Sequence, residues 1–410
     1  MTSIILRPHQ EDALISMNNN SIGKILLGTG AGKSIIFIQN TIKQFEFDQP
    51  QTVCIVAPRI LLACQLSQEY EKFISNAKFI HVHSGSRLKH YRTTNPEDIQ
   101  EWHNIHKDHH KLIFTSYNSL KKVIESGIKV DTYHFDEGHN SVKKNFFPHI
   151  EDAVRSANKK YFFTATPKNS LIPDKKPGMN ISEVYGDTLC SVPMTQMVDQ
   201  GFVIPPLVVK KEVENNENID ERNCDLILKA LDEENVSKVL IAAKSTKSII
   251  SLISETDFSE RLKERDYSLM HITSQHGCYI NGKEVKRMDF FKTLNEWGND
   301  VDKKFVVLNY SILGEGINVV GLDSVIFLRN MSIIDMVQTV GRIIRLDKKD
   351  SDRIASGELV VGDYRNYVKP YGLVVLPIFD SYSKKVSEAV EEMIYKSFTL
   401  GETVTQEIIK

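Results

Sequence analysis

The sequence predicts an α/β protein built from two tandem units, each a mainly parallel sheet flanked by helices. Three observations lead there. Short apolar runs alternate with amphipathic stretches along the whole chain. The alternation comes in two series, separated by a polar, apolar-poor segment from Glu212 to Arg222. The 410 residues, 41% hydrophobic and 25% charged, are long for one domain and ample for two cores.

In the first series the strand candidates are 25–27, 53–57, 79–82, 112–115, 132–135 and 161–164, and stretches such as 60–75 and 146–157 read as helices. The second series offers strands at 238–243, 268–272, 305–308, 324–328 and 373–376. Its helices are expected at 222–235, 246–265, 283–297 and 334–345, with a terminal helix from about 382. The polar segment reads as a linker, so the boundary falls near 220 and the domains are expected at 1–215 and 216–410. No repeat and no low-complexity tract interrupts the pattern.

Charge and composition narrow the function. A formal net charge of −2 gives no global basic signature, so any nucleic-acid binding must come from a local cleft. The cysteines Cys54, Cys64, Cys190, Cys224 and Cys278 are scattered without a CxxC pair, which supports neither a zinc site nor a disulfide framework and suits a reducing compartment. His103, His106, His109 and His110 read as a polar loop or helix face, because no Cys or acidic cage accompanies them. The N-terminus does not look like a signal peptide and no apolar run reaches membrane-spanning length. A soluble cytoplasmic protein (in the host cytoplasm, if viral) with no membrane partner is the expectation.

The chemistry starts at Gly28-Thr29-Gly30-Ala31-Gly32-Lys33-Ser34, which follows the strand candidate Ile25-Leu26-Leu27 and precedes Ile35-Ile36-Phe37-Ile38, the opening of a helix. Strand, glycine turn, Lys-Ser, helix is the P-loop order, although the first glycine of that pattern is Leu27 here. Glycines let backbone N–H groups curl around a phosphate, and the helix N-terminus adds partial positive charge. Lys33 is expected on the β- and γ-phosphates of ATP and Ser34 on Mg²⁺.

Asp136-Glu137-Gly138-His139 follows the apolar run Tyr133-His134-Phe135. Carboxylates at the carboxyl end of a strand lie where open α/β sheets bind ligands. Beside a P-loop, Asp136 is expected to hold Mg²⁺ and Glu137 to polarise the attacking water. Thr164-Ala165-Thr166-Pro167 ends another strand, and Thr164 and Thr166, with His139, are candidates for coupling the carboxylates to the γ-phosphate.

These pieces, in this order, resemble the superfamily 2 helicases and translocases, and the resemblance covers nearly the whole chain. It implies two RecA-like domains and carries over residue by residue. Leu6-Arg7-Pro8-His9-Gln10 looks like the adenine-reading segment, with Gln10 as the base contact. The P-loop is motif I. Ala57-Pro58-Arg59 is similar to motif Ia, Thr115-Ser116-Tyr117 to motif Ib, and Asp136–His139 to the DEAH form of motif II with Gly138 in place of alanine. Thr164–Pro167 looks like motif III in a form commoner among DNA translocases. Val239-Leu240-Ile241 with Lys244-Ser245 resembles motif IV. Gly314-Glu315-Gly316-Ile317-Asn318 resembles motif V, in which an Asp usually stands where Asn318 does. Gln338-Thr339-Val340-Gly341-Arg342-Ile343-Ile344-Arg345 is similar to motif VI, and its spacing puts Arg342 and Arg345 one turn apart on a helix face.

The resemblance implies arginine fingers at Arg342 and Arg345, nucleotide contacts at Gly316 and Asn318, and coupling through Gln338. It also implies nucleic-acid contacts at Arg59, Thr115, Ser116, Lys244, Ser245 and Gly314. Type III restriction-type helicase subunits, the XPB-like group and the phage helicase UvsW are the most similar branch, which implies work in DNA repair or recombination. The expected function is an ATP-dependent helicase or translocase, with DNA favoured over RNA. An RNA helicase, or a nucleic-acid clamp with little ATP turnover, stays open, as do a partner subunit and the oligomeric state.

Overall fold

A computed structural model describes residues 5–28, 30–85, 89–172, 177–214, 217–273, 275–310, 321–328, 332–400 and 406–408. The chain forms two compact units: Met1–Val192 with Thr403–Lys410, and Pro193–Glu402.

The first unit is an eight-stranded sheet in which every pair is parallel. In chain order its strands are β1 (Ile22–Leu27), β2 (Thr52–Ala57), β3 (Ala77–Val82), β4 (Tyr91–Arg92), β5 (His110–Ser116), β6 (Thr132–Asp136) and β7 (Lys159–Thr164). After the short β8 (Lys168–Ser170), β9 (Asp187–Val192) completes the sheet. The spatial order is β4-β3-β5-β2-β6-β7-β1-β9. All six residues of β2 are buried, because a central parallel strand is covered by helices on both faces. Tyr117, Tyr133, Phe135, Phe162 and Tyr185 pack with Trp102 and Ile150 into the core of one face.

The second unit holds β10 (Pro206–Glu212), β11 (Lys238–Ala242), β12 (Ser268–Thr273), β13 (Gly277–Ile280), β14 (Lys283–Val285), β15 (Phe305–Asn309), β16 (Ser324–Phe327) and β17 (Gly372–Ile378). Their order is β10-β17-β16-β11-β15-β12-β13-β14, parallel except for the β12-β13-β14 meander. Leu226, Ile227, Leu231, Val239, Ile241, Val306 and Ile326 anchor its core. Near the C-terminus β18 (Gln406–Ile408) pairs with β8 and so belongs to the first unit.

Every strand expected from the sequence is present, and the two-unit α/β reading holds. The details differ in four places. The units part at Val192/Pro193 rather than at 215/216, because β10 pairs along its whole length with β17. The polar segment from Glu212 to Arg222 consequently lies inside the second unit, and its last residues open a helix that starts at Ile219. The expected helix over 246–265 is two helices, Thr246–Ser254 and Phe258–Glu264. The stretch 283–297 opens as strand β14, and its helix begins only at Arg287. Edge elements such as β9 and β10 escaped notice because their apolar positions are only partly buried and are mixed with polar ones.

Candidate active site

The P-loop leaves β1 and enters the helix Lys33–Gln44 through Gly32, whose φ of +75° is a left-handed conformation that favours glycine. No side chain caps this helix. A Cβ on Gly32 would lie 2.3 Å from Gln10 Nε2. Gln10 comes from the helix Pro8–Asn19, and its amide donates to the carbonyls of Ala31 (3.1 Å) and Gly32 (3.3 Å). Arg7 Nη1 donates to the Gly30 carbonyl at 2.9 Å, and His9 Nε2 lies 2.9 Å from the Ala31 carbonyl. The P-loop carbonyls are thus held from outside, which frees its amides to face inward. Gln10 is buried and works here as a clasp on the loop; to meet a base it must release those carbonyls. Gly28 accepts from the Ala31 N–H, and Ser34 is half-buried in the first helical turn. Thr29 lies outside the described residues.

Opposite the loop, β6 ends in Asp136 and Glu137, both buried. Parallel pairing of β6 with β7, and of β7 with β1, brings this strand end beside the P-loop. Lys33 Nζ lies 3.1 Å from Glu137 Oε1. Burial raises the Asp136 carboxyl to about 7, with Lys33 opposing the rise and Glu137 adding to it. Glu137 sits at φ 48°, ψ 56°, a left-handed backbone rare outside glycine, and such strain gathers at functional sites. The Tyr117 hydroxyl donates to the Asp136 carbonyl at 3.0 Å and Asn140 Nδ2 to the Glu137 carbonyl at 3.1 Å, pinning the strained turn from two sides. Gly138 is explained by packing: a Cβ there would lie 3.2 Å from Phe162 Cβ.

The coupling candidates join the same cluster. His139 Nδ1 lies 2.9 Å from Thr164 Oγ1 and 3.5 Å from Glu137 Oε2, and the Thr166 N–H donates to Thr164 Oγ1 at 3.1 Å. Thr166 Oγ1 is buried with no hydrogen-bond partner among the described residues. An orphaned hydroxyl beside a Lys–Glu pair, a buried carboxyl and an uncapped helix N-terminus fits a phosphate–metal group: Lys33 and the helix amides for phosphate, Asp136 and Ser34 for Mg²⁺.

The nucleic-acid candidates of this unit are placed unevenly. Arg59 precedes the helix Ile60–Glu71 and is partly exposed. Thr115 is fully buried and its hydroxyl donates to the Val82 carbonyl at 2.8 Å, so it ties β5 to β3 rather than meeting solvent, against expectation. Ser116 is also buried, 3.3 Å from the Ser119 hydroxyl.

In the second unit, Lys244 is exposed just past β11. Ser245 caps the helix Thr246–Ser254, accepting from the Ser248 N–H at 3.0 Å. Gln338 and Arg342 are buried on the helix Ile333–Ile343. Arg345 does not share a helix face with Arg342, which corrects the expected pairing. The helix ends at Ile343, and Arg345 forms an antiparallel bridge with Val203, next to an Ile204 N–H bond to the Ile344 carbonyl at 2.8 Å. Lys369 holds the turn: its ammonium donates to the carbonyls of Leu322 (2.7 Å) and Arg345 (3.0 Å). Gly314, Gly316 and Asn318 lie outside the described residues. Tyr117, Asn140 and Lys369 carried no signal as site supports, because each acts on a backbone carbonyl that only the fold brings near.

Family profiles match both halves. The "Type III restriction enzyme, res subunit" profile matches residues 3–169, and the "Helicase conserved C-terminal domain" profile matches residues 222–347. No curated protein matches the sequence. Among solved structures, the chain is similar to the ATP-dependent Type ISP restriction-modification enzyme LlaBIII bound to DNA, at 18% identity and TM-score 0.71, over 99% of this chain and 31% of that one. It is similar to a nuclease-deletion mutant of the Type ISP enzyme LlaGI in complex with a DNA substrate mimic, at 20% identity and TM-score 0.66, over 96% and 29%. It is also similar to the Mycobacterium smegmatis helicase Lhr bound to ssDNA and AMP-PNP, at 16% identity and TM-score 0.62, over 98% and 49%. The chain thus spans less than a third of the two restriction enzymes. These likenesses show the fold, two tandem RecA-like domains. No helix among the described residues is long and apolar enough to cross a membrane.

Proposed function

The chain belongs to the superfamily 2 helicases, close to the type III restriction-type helicases, and from that premise we propose that it is a nucleic-acid-stimulated ATPase that moves along DNA. One observation carries the reading: Lys33 and Glu137 meet at 3.1 Å beside the buried carboxyl of Asp136, which is the hydrolytic half of such a motor. A pure clamp has no need of a strained Glu137 held by Tyr117 and Asn140.

ATP with Mg²⁺ supplies the phosphoryl group and the charge that shields it. Lys33 leaves Glu137 for the phosphates, which frees that carboxylate to orient a water and take its proton. Asp136 and Ser34 would hold the ion, which would supply positive charge beside the phosphates. His139 and Thr164 link Glu137 to Thr166, whose hydroxyl is placed to respond to the phosphate. Arg342 and Arg345 neutralise charge on the transferred group, a role worth about 10³–10⁵ in rate elsewhere. Arg59, Lys244 and backbone groups near Ser116 and Ser245 contact the phosphates of the strand without reading sequence. If DNA favours the hydrolysing state, ATP must change DNA affinity by the same factor. The DNA named with the two restriction-type neighbours favours DNA over RNA, and those neighbours favour a restriction-type setting over repair or recombination.

The test is the ATPase rate with no polymer, with single- and double-stranded DNA, and with RNA. Stimulation by DNA, lost in Lys33→Ala, Glu137→Gln and Arg345→Ala, is expected. Stimulation by RNA alone reverses the substrate, and stimulation by neither polymer removes the motor.

A further inference from the structure

Away from the nucleotide site, the end of β3 carries two histidines on one face. His81 is the penultimate residue of the strand and His83 follows two positions on, so strand alternation points both side chains the same way. They point at the helix Ile60–Glu71, which contributes Cys64 and Ser67. His81 Nδ1 lies 3.2 Å from His83 Nε2, which lies 3.7 Å from Cys64 Sγ, and one ligand atom from each residue falls within 4.8 Å of the others. His81 and His83 are 1% exposed, while Cys64 is partly buried.

The two shorter spacings, 3.2 Å and 3.7 Å, lie close to the edges of a coordination polyhedron. With bonds of about 2.0–2.1 Å to nitrogen and about 2.3 Å to sulfur, a tetrahedral ion sets its N···N edge near ~3.4 Å and its S···N edge near ~3.6 Å. Ser67 is placed to support His81: its Oγ lies 3.0 Å from His81 Nε2 and can accept a hydrogen there, with the Nδ1 lone pair then facing the cluster.

We propose that Cys64, His81 and His83 bind one thiolate-accepting divalent cation of the zinc class, with the fourth position open to solvent. Binding releases one proton per ion, that of the Cys64 thiol. The Gly85 N–H donates to His83 Nδ1 at 3.2 Å, so His83 carries its hydrogen on Nε2. That hydrogen moves to Nδ1 as the ion takes Nε2, and the Gly85 amide turns away. No electron is transferred. The ion staples to β3 the helix that bears Cys64, which the candidate nucleic-acid residue Arg59 heads. Cation occupancy then sets how firmly that helix is held against the sheet.

The whole chain, stripped with chelator, is titrated with Zn²⁺ against a chromophoric competitor and separately with Co²⁺. One zinc per chain at sub-micromolar affinity is expected, with tetrahedral cobalt absorption and a sulfur-to-cobalt charge-transfer band. Cys64→Ser loses the charge-transfer band, His83→Gln loses stoichiometric zinc, and Ser67→Ala weakens zinc by about 10–100-fold. The double variant H106A/H109A keeps zinc binding unchanged. The proposal is overturned by zinc weaker than micromolar in the unmodified chain, by an octahedral cobalt spectrum, by a charge-transfer band that survives in Cys64→Ser, or by loss of zinc in H106A/H109A. The ATPase rate enters none of these readouts, so failure here leaves the proposed motor standing.

Discussion

The two units are the same frame carrying different chemistry. Read across the first sheet, β3-β5-β2-β6-β7-β1 matches β12-β15-β11-β16-β17-β10 across the second, strand for strand in chain order. The match extends to single residues. Asp131, just before β6, accepts from the Thr52 N–H at the start of β2; Asp323, just before β16, accepts from the Ser237 and Lys238 N–H groups at the start of β11. The Asp131 carbonyl takes the Lys159 N–H, and the Asp323 carbonyl takes that of Leu373. Yet the helix after β1 begins with left-handed Gly32, then Lys33 and Ser34, with no side-chain cap. The helix after β10 is capped by Asn218, which accepts from the Asp220 and Glu221 N–H groups, and carries those two carboxylates in its first turn. One helix start is open to a phosphate, and the other is filled by its own side chain and ringed with negative charge. A shared fold therefore does not place the chemistry; the few residues after each strand do.

The largest effect should come from closing the open helix start. In Gly32→Ala a Cβ meets the Gln10 amide and the left-handed backbone is strained. ATP affinity measured with a fluorescent analogue should fall by at least about tenfold, since both the clasp and the amide cradle shift; unchanged binding would show that the cradle does not depend on that conformation. The paired aspartates come next. Removing either leaves strand-start amides without an acceptor, at a cost of about 1–3 kcal/mol. In urea unfolding Asp323→Ala should lose more than Asp131→Ala, because Asp323 serves two backbone amides and Asp131 one.

Asn218→Ala should cost the second unit about 1 kcal/mol by loss of its cap. It should create no second nucleotide site, because Asp220 and Glu221 remain; more than one ATP per chain would break the contrast. The last test is one of pH and concerns Lys369. Burial lowers its ammonium to about 8, against the pull of Asp323 and Asp347. The unfolded chain keeps that proton to about 10.4, so between these values the unfolded state binds more protons and stability rises with pH. Unfolding midpoints from pH 7.5 to about 10 should show this rise in the native chain and not in Lys369→Met.

Much of this was legible in the chain alone. The P-loop and the Asp136–His139 segment are contiguous, and each announces both its residues and its place at a strand end. Central strands such as β2 and β15 announce themselves by unbroken apolar runs, because burial on both faces leaves no room for polar residues. Arg345 was misplaced for a local reason: a three-residue interval implies a shared helix face only while the helix lasts, and the bridge to Val203 ends it sooner. The unit boundary was misplaced because β10 pairs with β17, a partner more than 150 residues later that leaves no trace in local polarity.

The sequence by itself determined the fold class, the order of the motifs and the residues of the candidate phosphate site in the first unit, because each is written in neighbouring positions. The tertiary structure decided which distant side chains meet: Gln10 on the P-loop carbonyls, Tyr117 on the Asp136 carbonyl, and Cys64 against His81 and His83. Register between parallel strands and the packing of one helix set those encounters, and neither follows from spacing along the chain.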